Sequence, residues 1–205
     1  MEGNVRRFVG IDLALVRTGL AVLDAGKMCL FPVNSDKLDN AVIRQFWILD
    51  RILRFVRQGD IVVVEDFAMV GKFANSGKST DRIELLGMLR YALMKTAGCV
   101  MLTVHPSRLK KFVTGKGNAA KDDVIRELSR RWCVVTTDHN LADAAGLALM
   151  GYYLVNGADS LLEIDDFPVK PLEKSMISAL EKEREANRRW LRLIEKRRRK
   201  EAKTQ

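Results

Sequence analysis

Cysteine is scarce: three residues in 205, at Cys29, Cys99 and Cys133. They are too few and too far apart for a disulfide framework, and no Cys-x-x-Cys pair exists to hold zinc. Each falls in or beside an expected strand, so the expectation is three free, buried thiols in a reducing compartment. Long apolar runs are also missing. The most apolar stretch, LADAAGLALMGYYLV, is interrupted by Asp143, and nothing approaches the roughly 18 uncharged residues that a membrane span requires. The opening MEGNVRRFVGIDLALV shows no signal-peptide pattern. These absences set the expectation of a cytoplasmic protein without a membrane partner. Internal repeats are absent too, and so is a broad charge excess in the body. Of the net charge of +9, the stretch 188–205 carries +7, from nine Lys or Arg against Glu195 and Glu201. Basic surface on the rest must come from clustering, and the tail asks for a polyanionic partner.

What is there reads as one α/β domain. Val5–Ile11, Gly19–Leu23 and Lys27–Phe31 are β-branched or apolar runs separated by short polar turns, which predicts an antiparallel meander. Asp39–Gln58 changes period: Val42, Phe46, Leu49, Leu53 and Val56 recur three or four apart, the mark of an amphipathic helix stopped at Gly59. Ile61–Val64 is a continuous β-branched run, expected to be a strand buried on both faces. Asp81 with Glu84 forms a capping-box pattern for a helix to Ala97, closed by Gly98. Cys99–Val104 reads as another buried strand, broken by His105-Pro106. Asn118–Arg131 reads as a helix, Val134–Thr136 as a short strand and Asn140–Val155 as a last helix. The expected class is a mixed sheet covered on both faces by helices. Residues 1–158 form this domain, and 159–205 a linker and basic C-terminal helix or tail.

The chemistry rests on carboxylates. In an open sheet, side chains at the carboxyl ends of strands reach the crevice where ligands bind. Asp12 ends the first strand and Glu65 ends the buried run. If those strands are neighbours, two acids converge, and nothing in folding favours that without a cation. Asp143 is the third, in the first turn of DHNLADAAGLAL, where alanines let the helix approach the sheet. Read singly, Asp12 caps a turn, Glu65 is a solvated strand end and Asp143 complements its helix dipole. Jointly they are a hard-oxygen ligand set suited to Mg²⁺ or Mn²⁺, and two such ions about 4 Å apart can hydrolyse a phosphodiester.

In this order the segments GIDLALVRTGLAVLD, VVVEDFAMV, HPSRLKKFVTGKGNAAKDDVI and DHNLADAAGLAL resemble the RuvC-type Holliday junction resolvases over roughly residues 5–155. The resemblance implies a ribonuclease H-like fold with a five-stranded mixed sheet, a homodimer, two Mg²⁺ or Mn²⁺ per site, and cleavage of branched DNA such as four-way junctions. It places Asp12, Glu65 and Asp143 on the family's catalytic acids. It departs three residues before the last acid, where the family has an acidic or histidine ligand and this chain has Asn140. A weaker second ion, or replacement of Asn140 by Asp138 or His139, is the expected consequence. The charged extension fits a divergent, phage-encoded member acting in a bacterial or phage-infected cell.

Basic residues supply candidate DNA contacts. GKFANSGKST leaves five residues between Gly71 and Gly77 where a P-loop needs four, so that reading fails. Lys72, Phe73 and Lys78 are instead suited to phosphates and to a stacked or wedged base, unless Phe73 packs on its own domain. Lys110, Lys111, Lys116 and Lys121 cluster around Gly115 and Gly117, where backbone amides can approach phosphate; a merely solvated loop is the bland alternative. His105 reads as a strand-end residue. Two other functions compete: a non-cutting protein that binds junctions or single strands, favoured by Asn140 and the tail, and an actin-like ATPase, whose opening hairpin also carries Gly-Ile-Asp and Thr-Gly. The ATPase core is repeated in two domains, for which 205 residues with one copy are too short.

Overall fold

The computed structural model describes residues 7–65, 77–95 and 99–156, together with Glu185, Arg189, Arg192, Lys196 and Arg199. Within the described residues from 7 to 156 the elements are, in order, β1 (Phe8–Asp12), β2 (Arg17–Asp24), β3 (Lys27–Asn34), α1 (Ala41–Leu53), β4 (Ile61–Glu65), α2 (Gly77–Lys95), β5 (Val100–Val104), α3 (Pro106–Thr114), α4 (Lys121–Trp132) and α5 (His139–Asn156). The sheet order is β3-β2-β1-β4-β5. The meander pairs antiparallel, while β1–β4 and β4–β5 are parallel. Pro32, which has no N–H to give, is accommodated because β3 is an edge strand with β2 as its one neighbour.

Strand alternation divides the core into two layers. Phe8, Ile61, Val63, Leu102 and Val104 face a cluster built with α3, α4 and α5. Val9, Ile11, Val62, Val64 and Met101 face one built with α1 and α2. The β-branched run at Ile61–Val64 is buried on both sides, as its composition demands.

Helix α5 lies unusually close to the sheet, and two glycines permit it. A Cβ on Gly10 would fall 1.9 Å from the Ala144 carbonyl oxygen, and one on Gly19 would fall 2.0 Å from the Asn140 carbonyl oxygen. Both obstacles are helix backbone, so neither can yield by a rotamer change. Gly10→Ala is therefore expected to destabilise the fold by about 3 kcal/mol or more, beyond the usual range for overpacking because no side chain can move aside. Urea unfolding checks this, and a loss below about 1 kcal/mol, the low end of overpacking costs, would show that α5 is not held at this spacing.

Several expectations are corrected. Helix α1 departs from the expected face at its start: Leu49, Leu53 and Val56 pack against the core as expected and Gln45, Ile48 and Ile52 are buried, while Val42 and Phe46 are 53% and 58% exposed. The reason is Gln45, whose Nε2 donates to the Asp81 carbonyl at 2.9 Å and to Glu84 Oε2 at 3.1 Å, tying α1 to α2. Those partners also remove the capping box, because α2 begins at Gly77 and Asp81 and Glu84 lie inside it. The region after His105 is helix α3. His105 is its N-cap, accepting from the Ser107 N–H at 3.2 Å, with Pro106 in the first turn and Gly115 closing it at φ 81°. Residues 134–136 form no strand; they connect α4 to α5 after Cys133, which takes φ 53° at the end of α4. Cys99 is buried, but Cys29 and Cys133 are exposed because they stand on the edge strand and in that connection.

Candidate active site at the carboxyl end of the sheet

The alternation that builds the core also places the acids. In β1, Phe8, Gly10 and Asp12 share the α5 side; in β4, Ile61, Val63 and Glu65 do. The parallel register sets Ile11 beside Val64, so Asp12 and Glu65, one residue further on, are neighbours on the same face. Asp143 reaches them from above. Along α5, Asn140, Ala144 and Ala148 ride on Gly19 and Gly10, and Gly151 rides on Val63. Asp143, two turns before Gly151, therefore points toward the ends of β1 and β4.

Burial and mutual repulsion load these acids. Asp12 is 8% exposed, and its pKa is pushed up to about 7 by burial, by the charge of Glu65 and by the hydrogen bond it gives Glu65 when protonated. Burial and the charge of Asp143 raise Glu65 above the ordinary carboxylate range, although the bond from Asp12 works against this. Asp143 is raised to about 6 by burial and by Asp12. Asp12 and Glu65 are thus closed on one another. Among the described residues no group of three His, Cys, Asp or Glu stands preassembled as a metal shell. The donor set nonetheless suits a hard divalent cation: one buried and two half-buried carboxyls, each made costly to ionise by another, with the Asp12–Glu65 proton as the group a cation must displace.

Cations surround the acids. Lys121, the first residue of α4, lowers the pKa of all three carboxyls; Arg82 on α2 acts on Asp12 and Glu65, and Lys110 on Asp143. Of the sequence candidates, Lys110 and Lys121 therefore come to the acids. Lys111 and Lys116 are exposed on α3 and the loop after it. Lys78 lies in the first turn of α2, and Lys72 and Phe73 fall outside the described residues. Arg82 carries no signal in the sequence, because it sits in a charged helix whose placement against the sheet and α1 depends on tertiary packing.

The three substitutes at the last acid separate. Asn140 Nδ2 donates to the Arg17 carbonyl at 2.9 Å, turning its amide toward β2. Asp138 Oδ1 accepts the Asn140 and Leu141 N–H groups at 2.8 and 3.3 Å, so it caps α5. His139 lies four residues before Asp143, on the same side of the helix. Its charge acts on Asp143, its Nε2 is 3.6 Å from Asp122, and its buried Nδ1 has no hydrogen-bond partner.

Beyond the acids, a cleft of about 500 Å³ opens between the β1–β2 connection and the starts of α1 and α2, lined by Ala14, Leu15, Val16, Ala41, Arg44, Asp81 and Arg82. Its apolar wall is held firm. Thr18 Oγ1 bridges the N–H and carbonyl of Ala14 at 3.1 and 2.6 Å, and Ser35 Oγ donates to the Leu15 carbonyl at 2.5 Å.

A mixed five-stranded sheet with three antiparallel strands, two parallel additions and helices on both faces is a ribonuclease H-like fold. Among solved structures the chain is similar to Thermus thermophilus RuvC, with 24% identity, a TM-score of 0.57, and 74% of this chain and 96% of that one covered. It is similar also to T. thermophilus RuvC in complex with a Holliday junction substrate, with 22% identity, a TM-score of 0.52, and coverage of 70% and 91%. No protein-family model and no curated protein matches the sequence. No helix among the described residues is long and apolar enough to cross a membrane.

Proposed function

We propose that this chain is a divalent-cation-dependent endonuclease that cuts branched DNA, four-way junctions above all. Asp12, Glu65 and Asp143 are its catalytic acids. What supports the reading is a group of acids in which burial and the charge of another member make each harder to ionise, with Asp12 and Glu65 ending the neighbouring strands β1 and β4. Stability gives no reason to assemble it, since three close carboxyls each cost free energy when ionised. A bound cation repays that cost. The likeness to a RuvC structure holding a Holliday junction supports four-way junctions as the substrate class.

Mg²⁺ or Mn²⁺, two per site, would be held by Asp12, Glu65 and Asp143, with His139 taking the position that Asn140 leaves. When bound, such ions supply Lewis-acid polarisation of the phosphoryl group and a water of lowered pKa. The chain's own groups do the rest. Asp12 and Glu65 give up their shared proton on loading. Asp143, raised to about 6 by burial and by Asp12 in the cation-free chain, is ionised at neutral pH and ready to take its share of a cation. Lys121 sets a positive charge beside all three acids, where it can pair with the scissile phosphate. A homodimer would present two such sites to the two opposed strands of a junction.

The test is cleavage of a panel of four-way junctions, forks and linear duplexes with Mg²⁺ or Mn²⁺. Cuts paired across the junction are expected, with linear duplex spared. Junction binding without products under either ion would replace the nuclease with a binding protein. A second measurement distinguishes the ligands. His139→Ala is expected to raise the Mn²⁺ concentration giving half-maximal cleavage about tenfold, as loss of a ligand-side group does, whereas Asn140→Ala leaves it unchanged. Equal effects would return Asn140 to the shell.

A further inference from the structure

The acids at the end of the sheet leave the cleft beside them without a task. Its volume of about 500 Å³ lies in the range of sites that take a small organic ligand. Two features tie it to the acids. Ala14 follows Asp12 by two residues, so the wall begins within about 7 Å of the acid along the chain. Arg82, which also lines the cleft, acts with its charge on Asp12 and Glu65.

The two walls differ in chemistry. On one side Ala14, Leu15 and Val16 present apolar surface, and their backbone is clamped. Thr18 Oγ1 holds both polar groups of Ala14, while Ser35 gives its hydroxyl to the Leu15 carbonyl at 2.5 Å and its N–H to the Val16 carbonyl at 2.9 Å. On the other side stand Arg44 of α1 and Asp81 of α2. Arg44 is anchored through Nε to the Leu38 carbonyl. Gln45 Nε2 donates to the Asp81 carbonyl at 2.9 Å and so sets α2 against α1. That tie uses the backbone of Asp81 and leaves its carboxylate to a ligand. Walls fixed in advance lose little freedom on binding.

Apolar surface facing a few polar groups suits a flat ring whose edge is read by hydrogen bonds, as enzymes read a base taken out of the stack. A guanidinium only donates and a carboxylate only accepts. A base with an exocyclic amino group gives the carboxylate a donor and offers the guanidinium a ring nitrogen or carbonyl. Cytosine, adenine and guanine carry that group. Thymine carries carbonyls at both exocyclic positions, and its one edge N–H lies between two oxygens that a carboxylate repels. Removing a base from the stack costs least where the duplex is already interrupted, as at a branch point.

We infer that this cleft holds one unstacked base next to the scissile phosphate, with Leu15 and Val16 against its ring and Asp81 and Arg44 on its edge, and that it favours amino-bearing bases over thymine. The inference rests on the nuclease reading above for its partner, and on the cleft for its place.

Four-way junctions carrying 2-aminopurine, an amino-bearing base that brightens on leaving the stack, are titrated with the full chain in EDTA. Brightening is expected at a position beside the branch and not within the arms. Ala41→Leu, which narrows the cleft with a good helix former, should abolish it. Cleavage with Mn²⁺ is then compared on four junctions that differ in the base beside the cut. The thymine junction should be cut about tenfold more slowly than the others, within the span that one well-placed pair of base contacts discriminates. Asp81→Ala should remove this penalty. Asp81→Lys, a donor in place of an acceptor, should make the thymine junction the fastest, a reversal that a merely structural role for Asp81 would not produce. Junction binding without brightening at any position beside the branch overturns the inference, as does a thymine penalty in Asp81→Lys equal to the parental one. Brightening by a parental chain that never cuts supports the cleft and overturns the nuclease reading alone; no junction binding at all overturns both.

Discussion

Asp12→Asn is expected to lower the rate of junction cleavage by at least about 10³, while junction affinity stays at its parental value. The magnitude follows from the role. A ligand whose loss removes a few kcal/mol of charge stabilisation from phosphodiester cleavage costs a factor of ten for about each 1.36 kcal/mol. Asp12 is the most buried of the three acids and feels the charge of Glu65, so its carboxylate is central to the proposed cation site. Asparagine keeps the size and can donate from its amide to Glu65 as the protonated Asp12 does. The fold around β1 should therefore persist, and the variant should melt no lower than the parent at pH 7. Cleavage in Mg²⁺ and gel mobility shift without added cation measure the two halves. Cutting at more than about a tenth of the parental rate, a loss under about 1.4 kcal/mol, would remove Asp12 from the chemistry.

The legible parts of this site are those set by period two and by strand ends. Asp12 and Glu65 can be paired from the sequence because Ile61–Val64 declares a buried parallel strand, and register then follows from alternation. Asp143 is legible because its flanking alanines imply close approach, although Gly10 and Gly19 are the positions that allow it. Reading fails where two patterns overlap. Helix α1 carries apolar residues on more than one face, and a buried glutamine with partners on α2 chooses between them; hydrophobic period alone gives such a residue no weight. Helix α3 is hidden because His105-Pro106 has the look of a strand end, although Pro in the first turn and Gly115 after the last are both helix boundary signals. Val134–Thr136 has strand composition but pairs with no strand among the described residues, where β3 and β5 are the sheet edges. The choice among Asp138, His139 and Asn140 turns on which of them cap or brace α5, information that lies in hydrogen bonds and not in spacing.

Stability should fall with rising pH in the absence of divalent cations, and cations should restore it. The folded-state pKa of Asp12, about 7, and of Asp143, about 6, both stand above the unfolded value of 3.8. Folding therefore favours the protonated acids. Their contribution is complete below about pH 4 and is lost as pH climbs through about 6 and 7. For Asp12, 8% exposed and hence little screened by solvent, the loss is on the order of 4 kcal/mol at about 1.36 kcal/mol per unit. Opposing it, Asp123 and Glu127, held below the usual range by hydrogen bonds to Arg126 and Arg130, lose their weaker contribution on acidification. The cation-free protein should thus be most stable near about pH 4, and its melting temperature should drop by roughly 10 °C from pH 5 toward pH 8, at a few degrees per kcal/mol for a chain of this size. Mg²⁺ or Mn²⁺ at about a hundred times its dissociation constant should return about 2.7 kcal/mol, chiefly above pH 6, where protons no longer compete for Asp12 and Glu65. Asp12→Asn should flatten both dependences. Calorimetry across pH with EDTA and with Mn²⁺ measures this, and a melting temperature that rises from pH 5 to pH 8 with EDTA would mean that the three carboxyls do not repel one another.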